Sequence, residues 1–331
     1  MKKQWLRRLA GACVGALCLC TLSACNKDKE KEKMAIEQVT EPNFEVDDIR
    51  ALEVTKDGEV VYRLSYEPRD DRQSFLFWDM PVPYQSVATV DTEEIYKLFQ
   101  VFAGIDWRSS KQPETNRELA DSDTKITVSY YKNSEDSEEN GKNQSASKDQ
   151  KLEHPESNCY ATIMVGEKVD NTYECAVKGD DTVYRIKDFA IDAVLNEKPY
   201  DMILKIPFLL EKQSVKAVNV EWYNKKAELK SDRNGLSING KNVDEESYNS
   251  AYSMLLQCGM TGEVPAGTNL AKGKKPLVKL QYIRTKKEFE EYNIAFYEYD
   301  EENAVVDING KVAFLVSQKD VHYMLGCLNK L

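Results

Sequence analysis

Apolar and polar residues alternate with a period of two in four separate stretches of the chain. This period puts successive side chains on opposite faces, which is typical of antiparallel strands with one buried and one exposed face. The apolar positions of these stretches are Val60/Tyr62/Leu64/Tyr66, Ile126/Val128/Tyr130, Val218/Val220/Trp222 and Val278/Leu280/Tyr282. We expect each stretch to open a small antiparallel sheet.

A helical pattern follows each group of predicted strands. In VDTEEIYKLFQVFAGI (90–105), Asp91 or Thr92 can cap a helix whose apolar residues share one face. Further helices are predicted near 187–195, in VDEESYNSAYSMLLQCG (243–259) and in SQKDVHYMLGCLNKL (317–331). The pattern therefore predicts an α+β fold: a tandem duplicated domain, each half built of antiparallel sheet units of three to four strands, and each unit closed by one helix.

The four predicted units fall into two similar halves. The first and third units share a V-D-x-E helix start, and the second and fourth share the order long strand, connection, hairpin, short strand and helix. Asn309-Gly310 is a strong signal for the hairpin turn of the fourth unit. We therefore expect a first α+β domain at 44–209 and a second at 210–331.

A polar insert distinguishes the first half from the second. Residues 132–157 (KNSEDSEENGKNQSASKDQKLEHPES) contain no aromatic side chain, whereas the matching connection in the second half is only TKKEFEE (285–291). Such a segment buries too little apolar surface to offset the entropy lost on ordering. The sequence predicts a disordered loop at 132–157.

The N-terminus has the pattern of an export signal. A basic start is followed by about 15 apolar residues, fewer than the roughly 20 that a membrane-spanning helix needs. Leu22-Ser23-Ala24-Cys25 resembles the lipobox of bacterial lipoproteins, in which cleavage between Ala24 and Cys25 frees a cysteine that carries a diacylglycerol. We expect a signal peptide at 1–24, then a lipidated Cys25 and a charged tether at 25–43. An ordinary thiol within a cleaved signal is the alternative.

The charge and the histidine content exclude several classes of protein. The chain of 331 residues has 45 Lys+Arg against 56 Asp+Glu, a formal net charge of −11 and a mean hydropathy of −0.58. Loss of residues 1–24 removes four basic residues and leaves 41 against 56, a net of −15. This balance argues against nucleic-acid binding. Only His154 and His322 are available for a catalytic triad or a zinc site, so neither is expected.

The four remaining cysteines leave their pairing open. Export permits disulfides. A link between Cys159 and Cys175 is the first candidate and one between Cys258 and Cys327 the second. The alternative is that all four are small buried or half-buried hydrophobes.

Two aromatic residues are candidates for ligand or partner contact. Most of the 18 tyrosines and four tryptophans occupy strand positions, where packing in the core explains them. Trp78 and Tyr84 instead flank the Pro81 and Pro83 segment, which makes them candidates for contact with a ligand or partner. The alternative for Trp78 is a side chain that covers the edge of the first sheet. No metal site is expected, because Asp300-Glu301-Glu302 lacks the spacing of calcium-binding loops.

Two segments resemble domain-of-unknown-function family 4340, a family of bacterial proteins. The first is DIRALEVTKDGEVVYRLSYEP (48–68), followed by Trp78, a proline and the helix at 90–105; the second is ATIMVGEKVDNTYECAVKGDDTVYRIKDFAIDAVL (161–195). The match covers about 45–208, with 210–331 as a degenerate copy. It implies an exported or membrane-tethered protein, in some cases similar to extracytoplasmic parts of ABC-type exporter systems. The family supplies no catalytic residues.

These observations favour a non-enzymatic lipoprotein on the extracytoplasmic face of the cell membrane. It would act as an accessory or interaction module, associated with an ABC-type exporter or the cell envelope. Its partners would be the membrane, through the lipid anchor, and another envelope or membrane protein. No cofactor is expected beyond the diacylglycerol on Cys25. The alternative is a surface lipoprotein that binds a ligand or glycan in a groove between the two halves.

Overall fold

The computed structural model describes residues 36–69, 72–132, 156–265, 274–286 and 291–331. Nine strands form the first of its two sheets, in the order β4-β3-β2-β6-β7-β8-β9-β5, with β1 joined in parallel to β7. These strands are β1 (Glu37–Gln38), β2 (Ile49–Lys56), β3 (Glu59–Tyr66), β4 (Trp78–Val82), β5 (Lys111–Thr115), β6 (Lys125–Tyr130), β7 (Cys159–Val169), β8 (Thr172–Val177) and β9 (Thr182–Lys187).

The second sheet also has nine strands in the described part of the chain, in the order β13-β12-β11-β10-β15-β16-β17-β18-β14. All of its neighbouring strands run antiparallel. They are β10 (Val215–Trp222), β11 (Lys225–Asp232), β12 (Gly235–Ile238), β13 (Lys241–Asn242), β14 (Met260–Glu263), β15 (Val278–Arg284), β16 (Tyr292–Glu298), β17 (Asn303–Ile308) and β18 (Lys311–Ser317).

Five α-helices accompany the two sheets within the described ranges. They are α1 (Thr92–Ala103), α2 (Trp107–Ser110), α3 (Asp188–Leu195), α4 (Glu245–Met254) and α5 (Gln318–Leu328). The Asp91 carboxylate accepts hydrogen bonds from the first-turn amides of α1, and the Ser317 hydroxyl accepts one from the first turn of α5. No helix among these residues is long and apolar enough to cross a membrane.

The predicted α+β class is wrong: the fold is mostly β, with two large antiparallel sheets and few helices. Strands take 43% and helices of all kinds 24% of the described residues. The predicted units do not form separate sheets, because the first strands of neighbouring units pair directly. β2 pairs with β6, and β10 pairs with β15. Alternation shows which face of a strand is buried but not which strand lies beside it, so periodicity missed these pairings.

The two sheets repeat one order of strands. In order across the sheets, β3-β2-β6-β7-β8-β9 of the first sheet corresponds to β11-β10-β15-β16-β17-β18 of the second. One edge strand of each sheet is the strand that follows a long helix: β5 follows α1, and β14 follows α4. The order of elements along the chain is also shared. The division into domains at 44–209 and 210–331 stays a prediction, because the described residues belong to one compact unit.

The core lies between the helices and one face of each sheet. In the first half, the buried Tyr62 hydroxyl donates to the Val194 carbonyl of α3 at 2.8 Å. The two halves share this core, since the Tyr84 ring packs on Phe314 with centroids 4.9 Å apart. The Tyr84 hydroxyl also donates to Glu263 Oε1 of the second half at 2.7 Å. The halves are therefore packed together.

The predicted tether extends too far toward the fold. The prediction includes residues 36–43 in the tether, but Glu37 and Gln38 form β1, and Pro42 is buried. The amide of Val39 also donates to the Tyr160 carbonyl at 2.9 Å. This strand is only two polar residues long and follows a highly charged run, so no hydrophobic pattern predicted it. The signal peptide, Cys25 and most of the insert at 132–157 lie outside the described residues.

Candidate functional site

An open depression of about 1110 Å³ lies on the outward face of the second sheet. It crosses β11, β10, β15, β16 and β17, whose opposite face carries the core. Among its lining side chains are carboxylates, amides and two lysines, and none is aromatic. We call this surface the open face, and its principal residues are Asn219, Glu221, Lys226, Glu228, Lys279, Gln281, Glu291, Asn293 and Asp307.

Strand register lines up a row of amides across the open face. Asn219 is opposite Glu228 on one side and Gln281 on the other, and Gln281 is in turn opposite Asn293. Neighbouring strands lie about 4.8 Å apart, so these side chains are within reach of each other. Asn219 Nδ2 donates to Gln281 Oε1 at 2.9 Å, and Gln281 Nε2 donates to Glu291 Oε2 at 2.7 Å. The row is thus held by its own hydrogen bonds.

A second row carries alternating charge. Glu221 is directly opposite Lys226 on β11 and Lys279 on β15. Lys226 Nζ lies 2.6 Å from Glu221 Oε1. The hydrogen bond from Lys226 and the charges of both lysines lower the pKa of the Glu221 carboxyl group. Both lysines of the open face therefore interact electrostatically with the Glu221 carboxylate.

Three further carboxylates of the open face form no ion pair. Within the described residues, no lysine or arginine forms an ion pair with Glu228, Glu291 or Asp307. Glu291 accepts from the neutral amide of Gln281, and Asp307 accepts from the Gly310 backbone at 2.7 Å. Four carboxylates and two lysines line the open face, so its formal net charge is −2.

The turn between β17 and β18 fixes one end of the open face. Asn309 and Gly310 have φ values of 53° and 80°, the left-handed backbone expected for this pair in a tight hairpin. Asn309 Oδ1 accepts from the Asn293 amide at 2.8 Å, which ties the turn to β16. The predicted Asn309-Gly310 turn is confirmed, and it fixes the backbone of Asn293 at the end of the amide row.

The same face of the first sheet is partly covered by its own chain. By strand register, Thr127 and Thr162 of that sheet occupy the positions of Gln281 and Asn293. Beside them, Leu119 of the segment between β5 and β6 packs on Ala176 of β8 in a small separate apolar cluster. The two halves thus use equivalent outward surfaces differently.

The structure places Trp78 in the core, so it does not provide the exposed contact that its sequence neighbours suggested. Only 3% of Trp78 is exposed, and its ring centroid lies 5.4 Å from Tyr66 and 5.1 Å from Phe99. Trp78 is in register with Tyr66 on β3, and Phe99 comes from α1. Local sequence showed an aromatic residue near prolines but not the helix that covers it.

Tyr84 is also buried, at the contact between the halves. Besides packing on Phe314, its hydroxyl donates to Glu263 Oε1 at 2.7 Å. Burial, followed by this hydrogen bond to Glu263, raises the Tyr84 pKa well above its usual range. The depression beside Tyr84 has a volume of only about 170 Å³. Tyr84 therefore holds the two halves together rather than lining an aromatic groove between them.

The candidate disulfide between Cys159 and Cys175 is absent, and both thiols are free and buried. β7 runs on to Val169, so Cys175 pairs with Val165 and not near Cys159. Six residues of strand separate the two positions, about 20 Å, far beyond the span of a disulfide. Burial raises the pKa of the Cys175 thiol to about 12. Cys258 and Cys327 are free as well.

The remaining sequence candidates do not form a site. Ala24, Cys25 and His154 lie outside the described residues, and His322 is exposed on α5. Asp300 Oδ1 accepts from the Glu302 and Asn303 amides, so this carboxylate shapes a turn. Across the described ranges, no group of three His, Cys, Asp or Glu side chains could hold a metal ion.

Sequence reasoning missed the open face, because its rows join residues far apart in the chain. The signal that could have found it is the polar set of Asn219, Gln281 and Asn293 between apolar strand residues, once the strand pairing is known. Comparisons find no match to this chain among family models, curated proteins or solved structures. The resemblance to domain-of-unknown-function family 4340 stays a prediction.

Proposed function

We propose that the protein is a membrane-anchored, extracytoplasmic lipoprotein that acts as a non-enzymatic interaction module through the open face of its second sheet. The lipobox at 22–25 supports the anchor, and diacylation holds a protein stably at a bilayer where a single chain does not. The open face supports the interaction. A partner in the envelope or the membrane, of which an ABC-type exporter is one example, would dock there.

One observation carries the proposal: a hydrogen-bonding surface is built on rigid strands and left open. Its amide row is positioned by backbone register and by two side-chain hydrogen bonds. The inward neighbours Val218, Leu280 and Ile294 are at most 2% exposed, which anchors the strands that carry it. Such preorganised polar groups lower the ordering cost of binding.

The lining chemistry favours binding over catalysis. None of the residues that line the open face is a histidine, cysteine, serine or threonine. Histidine is the commonest general base in enzymes, and serine, cysteine and threonine are common nucleophiles. Lys226 is engaged in an ion pair with Glu221. The alternative of a glycan groove between the halves loses its main support, because Trp78 and Tyr84 are both buried.

Site-specific photo-crosslinking in intact membranes tests the proposal. A photoreactive residue at Gln281 reports on the open face, and one at Thr127 is a matched control, since both are half-buried and occupy equivalent positions of the two sheets. We expect a discrete crosslinked partner from Gln281 and not from Thr127. Mass spectrometry of the same preparation should find a diacylglycerol on Cys25. Repeated absence of a partner from both Gln281 and Asn293 would refute the interaction role.

A further inference from the structure

We infer that the open face binds a cationic, extended polypeptide segment of its partner, with lysine or arginine side chains directed at Glu228, Glu291 and Asp307. This inference rests on the proposed function and deepens it, because it specifies the chemistry of the partner. The juxtaposition that carries it is an open amide row flanked by three carboxylates that form no ion pair in the described part of the chain.

Charge is the first argument. Of the six charged side chains on the open face, Lys226 forms an ion pair with Glu221, and Lys279 occupies the position opposite Glu221 on the neighbouring strand. The other three carboxylates form no ion pair within the described residues, which leaves a net charge of −2 on the lining. A cationic segment would form favourable charge interactions with all three carboxylates. Nucleic acid or an anionic lipid surface would be repelled.

Hydrogen bonding is the second argument. Asn293 uses its backbone amide to bond Asn309, whereas its side-chain amide has no partner in the described residues. Asn219 uses Nδ2 as a donor to Gln281, which leaves Oδ1 as an acceptor. These amide groups match the N–H and C=O groups that a polar peptide offers. The lack of aromatic side chains disfavours a sugar ring, which aromatic faces ordinarily stack against.

The dimensions of the open face fit a short extended segment. Five strands at about 4.8 Å spacing give four intervals, or about 19 Å from β11 to β17. An extended chain covers about 3.3 Å per residue, so about six residues cross the face. Glu228 lies on β11 and Asp307 on β17, at opposite ends of that path. Cationic side chains at alternate residues would reach both ends.

The first half shows what happens when the chain covers this surface itself. There, Leu119 packs on Ala176 and Met164 is buried at the neighbouring position. By strand register, the second sheet has Asp307 in place of Ala176 and Ala295 in place of Met164. An apolar cover cannot pack on a carboxylate without a desolvation cost. The open face is therefore suited to a polar, cationic occupant.

The test uses the full chain in phosphatidylcholine vesicles, whose zwitterionic surface adds no net charge. The probe is a fluorescent peptide of alternating lysine and serine, six residues long, and binding is followed by fluorescence anisotropy at low salt. Glu228→Gln/Glu291→Gln removes two charges from the open face while keeping oxygen acceptors. Glu246→Gln/Glu301→Gln removes two charges from exposed sites elsewhere and is the matched control.

We expect the Glu228→Gln/Glu291→Gln variant to bind the lysine peptide about fivefold to thirtyfold more weakly, the loss of two exposed charge contacts. The control should change less than twofold, and added salt should weaken binding to the unaltered chain. A peptide with glutamate in place of lysine should not bind. Circular dichroism and the unfolding temperature establish that each variant is folded. Equal binding by both double variants, or binding of the glutamate peptide, would overturn the inference.

The two proposals fail in distinguishable ways. If crosslinking from Gln281 captures a partner whose attached peptide carries no lysine or arginine, the function stands and the cationic partner is refuted. If the lysine peptide binds through Glu228 and Glu291 but no partner is captured in membranes, the inference stands and the interaction role fails.

Discussion

Two buried tyrosines of the core differ in one respect that mutation can isolate. Tyr62 on β3 donates its hydroxyl hydrogen to the Val194 carbonyl at 2.8 Å. The Tyr282 hydroxyl on β15 is buried and has no hydrogen-bond partner in the described structure. Both rings are fully buried. Tyrosine to phenylalanine removes one oxygen at each site and keeps the ring, so the two variants compare a satisfied hydroxyl with an unsatisfied one.

The structure gives opposite expectations for the two changes. Val194 lies in the last turn of α3, where helix carbonyls lack a partner within the helix. Tyr62→Phe therefore leaves this carbonyl buried and unpaired, and should lower the free energy of unfolding by about 1–3 kcal/mol. Tyr282→Phe relieves an unpaired hydroxyl and keeps the ring contacts with Phe208 and Tyr252. Its stability should be unchanged or higher by up to about 1 kcal/mol.

Urea unfolding, followed by tryptophan fluorescence, measures the difference. The midpoint of each variant is compared with that of the unaltered chain, and the slope of the transition must stay constant for the comparison to report stability. We expect the Tyr62→Phe midpoint to fall and the Tyr282→Phe midpoint to hold or rise. If Tyr282→Phe loses as much stability as Tyr62→Phe, hydroxyl satisfaction does not distinguish the two sites and the reasoning is refuted.

Two further predictions concern a crowded glycine and a surface ion pair. Gly166→Ala should destabilise the fold by about 1–3 kcal/mol in the same urea assay, because its new methyl group would clash with Leu119. Gly326→Ala in α5 is the control: its methyl group meets no neighbouring atom, and the free energy of unfolding should rise by up to about 1 kcal/mol. Equal effects of the two changes would contradict this reasoning. Lys168 lies 3.0 Å from Asp192 and, by its hydrogen bond, lowers the pKa of that carboxyl group. The ion pair therefore stabilises the fold at pH values above the ordinary pKa of aspartate, and this stabilisation is lost as the pH falls through the lowered pKa of Asp192. Asp192→Asn should accordingly lower the free energy of unfolding by about 0.5 kcal/mol at pH 7 and leave it unchanged in strong acid. A cost that is independent of pH would contradict the ion-pair origin.

Local sequence patterns correctly predict individual strands and helices of this fold. The alternation from Val60 to Tyr66 predicts β3, which spans Glu59–Tyr66. The cap at Asp91 and the apolar stripe after it predict α1, whose residues Ile95, Leu98, Phe99 and Phe102 are all buried. These signals are contained within a few residues, because they depend on backbone period and on end-capping chemistry. They need no knowledge of what lies beside the element.

Properties that depend on lateral pairing were missed for the same reason. Joining β2 to β6 and β10 to β15 turns four small units into two large sheets, and no local period encodes that choice. Cys175 came to lie opposite Val165 because β7 continues four residues beyond that position before its turn. The burial of Trp78 required α1 to fold back over β4. Each miss concerns a contact between distant parts of the sequence.

The repeated strand order explains why the outward positions of the second sheet matter most for function. Inward positions of the two halves meet the same demand for burial, and Tyr184 in the first sheet is matched by Phe314 in the second. Outward positions share no common demand, because the first sheet is partly covered and the second is open, so nothing in the shared fold requires an amide at Gln281 where the first sheet has Thr127. An ordered amide row beside unpaired carboxylates adds little to the stability of the sheet that carries it. Binding accounts for this row better than folding does, which makes the open face the first surface to mutate.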